Sequence, residues 1–178
     1  MNNAAIAATQ RVQSRLSSEV PLEDVRALYE TNLFGLFAVT QAMLPLLRRS
    51  NAGRIVNLSS GLASLGNISS VTPEFLPVFR WPYASTKTAV NAMTIFLAKE
   101  LQQTGIKVNA VDPGRTKTDM AKATGQATTR VNAVDPGIDM MPPSHTPQQA
   151  AQVAVHLATI HEDGPTGGFF DENGPLPW

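Results

Sequence analysis

Apolar residues fall along this chain in two rhythms. Between Leu22 and Arg49 they return every three or four positions, through Val25, Leu28, Leu33, Leu36, Phe37, Val39, Met43 and Leu46. That period predicts a long helix. Pro21 and the acids Glu23 and Asp24 suit its positive start, and Arg48 and Arg49 suit its negative end. Pro45 should loosen the last turns. A second helix is predicted from Tyr83 to Thr104, closed by Gly105. A third runs from Gln148 to Ile160, with Thr146 as N-cap and Pro147 in the first position. The other rhythm is a set of short β-branched or aromatic runs: Arg54–Ser60, Ile106–Val111 and Gly167–Asp171. Each reads as a short buried strand. Residues 1–8 read as a strand end or turn, 9–20 as polar loop, and 61–82 and 113–147 as Pro- and Gly-punctuated loop. Strands alternating with helices predict an α/β fold. It would be a parallel sheet flanked by helices, with right-handed crossovers and one domain over 1–178.

Composition narrows the functional classes. With 43% hydrophobic residues in 178, one sizeable core is expected. Fourteen basic residues balance fourteen acidic ones, which argues against a nucleic-acid partner. The absence of cysteine excludes disulfides, thiolate metal sites and a cysteine nucleophile. The most apolar stretch, Leu33–Leu47, is too short to span a bilayer and contains Thr40, Gln41 and Pro45. The N-terminal stretch has no secretory pattern. No membrane association and a cytoplasmic location are therefore expected. His145, His156 and His161 lack partners at ligand spacing, so no metal site is expected and they read as structural or surface residues. The heptapeptide VNAVDPG occurs at 108–114 and again at 131–137. Its flanks differ, so it is not a solenoid repeat, and it carries no functional assignment.

The candidate chemistry begins with Tyr83-Ala-Ser-Thr-Lys87. Four positions apart on a helix, the phenol and the ammonium are neighbours. A nearby cation favours phenolate and should lower the tyrosine pKa, giving a group able to exchange protons. Taken alone, such a pair is more often an amphipathic surface feature. Ser60 ends a buried strand, where ligands gather in parallel sheets. On its own it could equally be a turn serine. Asn32 sits among Leu33, Phe34, Leu36 and Phe37, where a buried amide needs partners and could hold water or satisfy backbone. Pro113-Gly114 after a strand allows close backbone approach to a ligand, and Thr116 and Thr118 follow with hydroxyls.

In combination these residues resemble the short-chain dehydrogenase/reductase family over nearly the whole chain. Asn2-Asn3-Ala4-Ala5 looks like the Asn-Asn-Ala-Gly turn after the family's fourth strand, with Ala5 in place of glycine. Thr31-Asn32-x-x-Gly35 looks like the segment bearing the catalytic asparagine. Gly53–Ser60 resembles the fifth strand, with Ser60 rather than Ser59 on the catalytic position. Val108–Gly114 followed by Thr118-Asp119-Met120 resembles the sixth strand and its turn. The long loop between Ser60 and Tyr83 is similar to the carbonyl-reductase-like branch.

The resemblance implies an NAD(P)-dependent oxidoreductase that reduces a carbonyl or oxidises an alcohol, with a small molecule as substrate. Tyr83 would be the general acid or base. Lys87 would lower its pKa and hold the nicotinamide ribose, Ser60 would position the carbonyl oxygen, and Asn32 would anchor a water. Pro113, Gly114, Thr116 and Thr118 would lie against the nicotinamide, and Asn3 and Ala4 beside the ribose. The cofactor would be NADP or NAD. A homo-oligomer through helices 22–49 and 83–104 is also implied.

No Gly-rich turn precedes Asn2, so the chain would match roughly the last four strands of a seven-stranded doubly wound Rossmann-type parallel sheet. Weak cofactor binding, an exposed sheet edge and uncovered apolar helix faces are then expected. An alternative follows: a truncated, inactive remnant acting only through protein association.

Overall fold

A computed structural model describes residues 1–7, 16–70, 81–123 and 145–178. The second copy of VNAVDPG lies outside them. Four strands form one sheet in the order β1 (Arg54–Leu58), β2 (Lys107–Val111), β3 (Phe169–Asp171) and β4 (Gly174–Pro175). β1, β2 and β3 are parallel, with Arg54 opposite Lys107 and Ala110 opposite Phe169. β4 turns back antiparallel to β3, a hairpin that the sequence pattern does not reveal. Ahead of them, Asn2 makes a single parallel bridge to Asn57 on the far edge of β1. The N-terminal segment is thus a strand end, as its composition suggests.

Among the described residues the α-helices are α1 (Leu22–Tyr29), α2 (Leu36–Leu47), α3 (Leu65–Ser69), α4 (Trp81–Glu100), α5 (Asp119–Ala123) and α6 (Pro147–Ala158). The predicted first helix is divided. Between α1 and α2 the chain widens into a π-helical turn at Glu30–Gly35, centred on the fully buried Asn32. The expected apolar stripe is also narrower than its period implies. Leu28 and Leu36 are buried, whereas Phe37, Val39, Met43 and Leu46 are exposed. α4 begins two residues before Tyr83 and ends at Glu100, and a 3-10 turn at Gln102–Thr104 leads to Gly105 at φ 74°. That left-handed conformation suits glycine. α6 opens as its sequence predicts: the Thr146 hydroxyl accepts from the Gln149 amide, and the Gln149 side chain accepts from the Thr146 amide.

The sheet separates two apolar layers. On one side Ile55 and Val108 pack with Leu97, Ala98, Leu101 and Ile106. On the other, Val56 and Val111 meet Ala154, Leu157 and Ile160 of α6 and its exit. Arg54 ties that exit down, donating from Nε and Nη2 to the Ile160 carbonyl at 3.0 and 2.8 Å. A polar thread crosses the β1 edge. Asn2 Nδ2 donates to Thr40 Oγ1 at 3.0 Å and to Asn57 Oδ1 at 2.8 Å, and Asn57 Nδ2 donates to Thr94 Oγ1 at 2.9 Å. It links α2, the N-terminal segment, β1 and α4, and leaves these amides paired in the interior.

Candidate active site

The carboxyl ends of β1 and β2 carry the candidate residues, and the first half of α4 lies across them. Ser59 and Ser60 follow β1 and do different work. Ser59 is buried, and its hydroxyl donates to Asn91 Oδ1 at 2.5 Å. Ser60 is partly exposed and caps the short turn Gly61–Ala63 by accepting from the Leu62 amide at 3.3 Å. Of the pair, Ser60 is the one open to a ligand. The turn is held against α4 by Thr88, whose hydroxyl donates to the Ala63 carbonyl at 3.0 Å.

Helical spacing puts Tyr83 and Lys87 together as expected, with Lys87 Nζ 5.9 Å from the Tyr83 ring centroid. Lys87 is only 3% exposed, and its ammonium donates to the Leu58 carbonyl at 2.7 Å. Burial lowers its pKa to about 8. The Tyr83 pKa moves opposite to the sequence-based expectation. It is raised to about 12, first by burial and then by the nearby Asp112 carboxylate. In this chain those two effects outweigh the attraction of the ammonium for a phenolate. The site as it stands therefore holds Tyr83 as a phenol, a proton donor.

Asn32 reaches this centre indirectly. Its Oδ1 accepts from the Ile6 amide at 2.8 Å, and its Nδ2 donates to the Ile6 carbonyl at 2.9 Å and to Thr86 Oγ1 at 3.1 Å. Thr86 in turn donates to the Tyr83 carbonyl at 2.7 Å. Asn32 thus fastens the N-terminal segment to α4, which explains why the helix widens there: the amide is drawn inward to backbone groups. Asn3 and Ala4, between Asn2 and Ile6, are exposed at the rim.

The turn after β2 brings Pro113 and Gly114 to the same end of the sheet. Gly114 sits at φ 66°, and a Cβ there would meet the His145 ring at 3.0 Å. The positive φ favours glycine, and with a Cβ the His145 ring would have to give way slightly. Thr116 is partly buried and donates to the Gly114 carbonyl at 3.2 Å, so it shapes the turn. Thr118 is exposed and accepts from the Ala121 amide at 3.2 Å at the start of α5.

The structure therefore gathers Ser60, Tyr83, Lys87, Pro113 and Gly114 at one end of the sheet, with Asn32 one hydrogen-bonded residue away. Asn3, Ala4 and Thr118 belong to exposed segments of the chain. Three neighbours escaped the sequence reading. Asp112 and Asn91 carry no local signal, because their partners are distant in the chain. His145, taken as structural or surface, packs on Gly114 and pairs with Glu172 at 3.2 Å. Among the described residues no group of histidine and acidic side chains could hold a metal ion, and no helix is long and apolar enough to cross a membrane.

Comparison with known proteins bears on this geometry. The profile of the short chain dehydrogenase family matches residues 1–129. A 3-oxoacyl-[acyl-carrier-protein] reductase of Synechocystis sp. is 34% identical over 122 residues, covering 68% of this chain and 43% of the relative. A 3-oxoacyl-[acyl-carrier protein] reductase of Brucella melitensis, solved with bound NAD, superposes with a TM-score of 0.72 at 28% identity, covering 96% of this chain and 58% of that one. The carbonyl reductase Sniffer of D. melanogaster superposes with a TM-score of 0.71 at 25% identity, covering 99% and 64%. The chain thus spans less than half of that curated relative and about three fifths of these structures. The partial Rossmann-type sheet and the carbonyl-reductase likeness expected from the sequence are both found.

Proposed function

The chain belongs to the short chain dehydrogenase family, and from that premise we propose that its site interconverts a carbonyl and an alcohol on a small molecule with NAD or NADP. The observation that carries this reading is that a phenol and a buried ammonium lie together beside the end of β1: Lys87 Nζ is 5.9 Å from the Tyr83 ring centroid and donates to the carbonyl of Leu58, two positions before the partly exposed Ser60. The donor set suits the nicotinamide half of a dinucleotide. A buried cation is flanked by partly exposed hydroxyls and by a glycine turn free of side chain. Bound nicotinamide supplies or accepts the hydride.

The chain's own residues do the rest. The Ser60 hydroxyl donates to the substrate oxygen and fixes its place. Tyr83 gives its phenolic proton to that oxygen in reduction and takes it back in oxidation. The Lys87 ammonium stabilises the phenolate that remains and offers hydrogen bonds to the ribose. Asn32 holds α4 and the N-terminal segment in register, and a water at its backbone would connect Lys87 to solvent. Pro113, Gly114, Thr116 and Thr118 line the nicotinamide side, and Asn3 and Ala4 the ribose side.

Tyr83→Phe tests the assignment. Turnover should fall by about a hundredfold or more, with the fold retained by circular dichroism. Unchanged turnover would remove Tyr83 from the mechanism. A second reading, a protein that only associates, draws on the apolar residues Phe34 and Phe96, which are 53% and 73% exposed. Saturable cofactor binding, followed by nicotinamide fluorescence, at roughly micromolar levels would defeat it. No binding at roughly millimolar levels would defeat catalysis by this chain alone. Either reading accommodates a homo-oligomer through helices 22–49 and 83–104.

A further inference from the structure

The short helix that follows Ser60 has little of its own to hold it in place. α3 is five residues long and buries none of them, and its Leu65 is 60% exposed. So short a helix is marginal by itself. Its first turn also leaves amides without intrahelical partners. The Ser64 hydroxyl, at the N-cap, accepts from the Asn67 amide at 3.2 Å. The Gly66 amide is satisfied from far along the chain: it donates to the Trp178 carbonyl at 3.0 Å.

Residues 175–178 are carried there by the β3–β4 hairpin. Asp171 Oδ1 accepts from the Asn173 and Gly174 amides at 2.7 and 3.0 Å and closes the turn. Beyond it the Leu176 amide donates to the Phe169 carbonyl at 2.8 Å. Phe169 is buried in the sheet beside β2, and the Trp178 ring stacks on it, with centroids 5.7 Å apart and planes 21° apart. Such a pair stabilises beyond the area it buries. The segment lies directly on α3: a Cβ at Gly66 would meet the Trp178 oxygen at 3.5 Å and Pro177 Cβ at 3.6 Å. The ring of Trp178 is therefore fixed to the sheet, and the carbonyl of the same residue to α3.

We propose that residues 175–178 form a clasp on the Ser60 side of the site, with Trp178 as a positioning residue. Its ring, stacked on Phe169, holds its carbonyl against Gly66 and so fixes α3 relative to the sheet. The hold extends to Ser60 through the intervening turn, where the Ala63 and Ser64 amides donate back to the Ser60 and Gly61 carbonyls at 2.8 and 3.2 Å. From the α4 side the same turn is gripped by the Thr88 hydroxyl on the Ala63 carbonyl. The bearing on catalysis rests on the reading of Ser60 as the group that places the substrate oxygen.

Amide hydrogen exchange of the full chain, resolved by residue, tests the clasp without cofactor or substrate. Trp178→Ala keeps the carbonyl and removes the ring. Exchange at Gly66 and Ile68 should quicken by about tenfold or more. At Leu62, whose amide donates to Ser60 Oγ, it should quicken by less. The amides of β2 should exchange as in the parent. Trp178→Phe keeps a ring for the stack and should restore most of the protection at Gly66. Unchanged exchange at Gly66 in Trp178→Ala overturns the proposal, and so does a Trp178→Phe chain that exchanges as Trp178→Ala does. Equal loss of protection in β2 overturns it as well, because Trp178 would then serve stability alone. Loss of the fold in both variants has the same meaning. If α3 loosens as expected while Tyr83→Phe turns over as the parent does, the assigned reaction fails and the clasp stands.

Discussion

Two stretches of α4, residues 81–94 and 95–100, allow a comparison within one helix. Both lie against the same two strands. The later stretch buries Leu97 and Ala98, which join Leu101, Ile55 and Val108 in an apolar layer. The earlier stretch buries Pro82, Ala84 and Val90 but interleaves them with Thr86, Lys87, Asn91 and Thr94. Backbone geometry is common to the two, so the difference is chemical. The later stretch gains stability from every methylene it removes from water. The other holds an ammonium and a phenol in surroundings that shift both away from their ordinary ionisation. Buried polar groups with few partners are costly, and here the Asn91 amide nitrogen is buried without one. The apolar end anchors the helix, and the stretch that mixes polar with apolar residues is held in place by it.

Substitutions can break this comparison from either side. Leu101, fully buried just beyond α4, should show the largest effect on stability. Leu101→Ala should cost roughly 2–5 kcal/mol by denaturant unfolding. A cost near zero would mean that this layer is not the anchor.

Lys87→Met should act in the opposite direction on stability and in the same direction on function. Lowering the Lys87 pKa from 10.5 to about 8 corresponds to about 3 kcal/mol of unfavourable burial at neutral pH. Losing the hydrogen bond to the Leu58 carbonyl returns about half of that. A net gain of roughly 1–2 kcal/mol is expected, together with loss of turnover. Destabilisation would show that the ammonium is well solvated or paired.

A pH signature follows from the same two groups. Lys87 binds its proton more weakly in the folded chain than unfolded, so stability should climb as pH rises from about 8 to 10.5. Tyr83 has the reverse sign. Its raised pKa gives a contribution that is complete below 10 and is lost as pH rises through about 12. Unfolding free energies across that range should rise and then fall. Lys87→Met should remove the rise, and Tyr83→Phe the tyrosine share of the fall. A flat profile in the parent chain would contradict both shifts.

How much of this was legible follows from distance along the chain. The strand at Arg54–Leu58 and the Thr146–Pro147 helix start are written in adjacent residues, and both form where the pattern places them. The Tyr83–Lys87 pair is one helical turn long and equally plain. The π-helical turn at Asn32 was hidden because it answers to Ile6 and Thr86, 26 and 54 positions away. The exposure of Phe37, Val39 and Met43 was hidden because a period shows which residues share a face and not what covers it. The direction of the Tyr83 shift was hidden for the same reason: it is set first by burial and then by Asp112, in the turn after β2, and both act only once the sheet is assembled.

The thread from Thr40 through Asn2 and Asn57 to Thr94 has a mechanical consequence. Side chains alternate along β1, so a slip of one position would set Val56 or Leu58 where Asn57 belongs. Several amide groups would then face hydrocarbon with nothing to bind. Such an edge cannot creep. It stays locked in a single alignment or comes apart, and with it goes the footing on which Asn32 and the neighbouring helix stand.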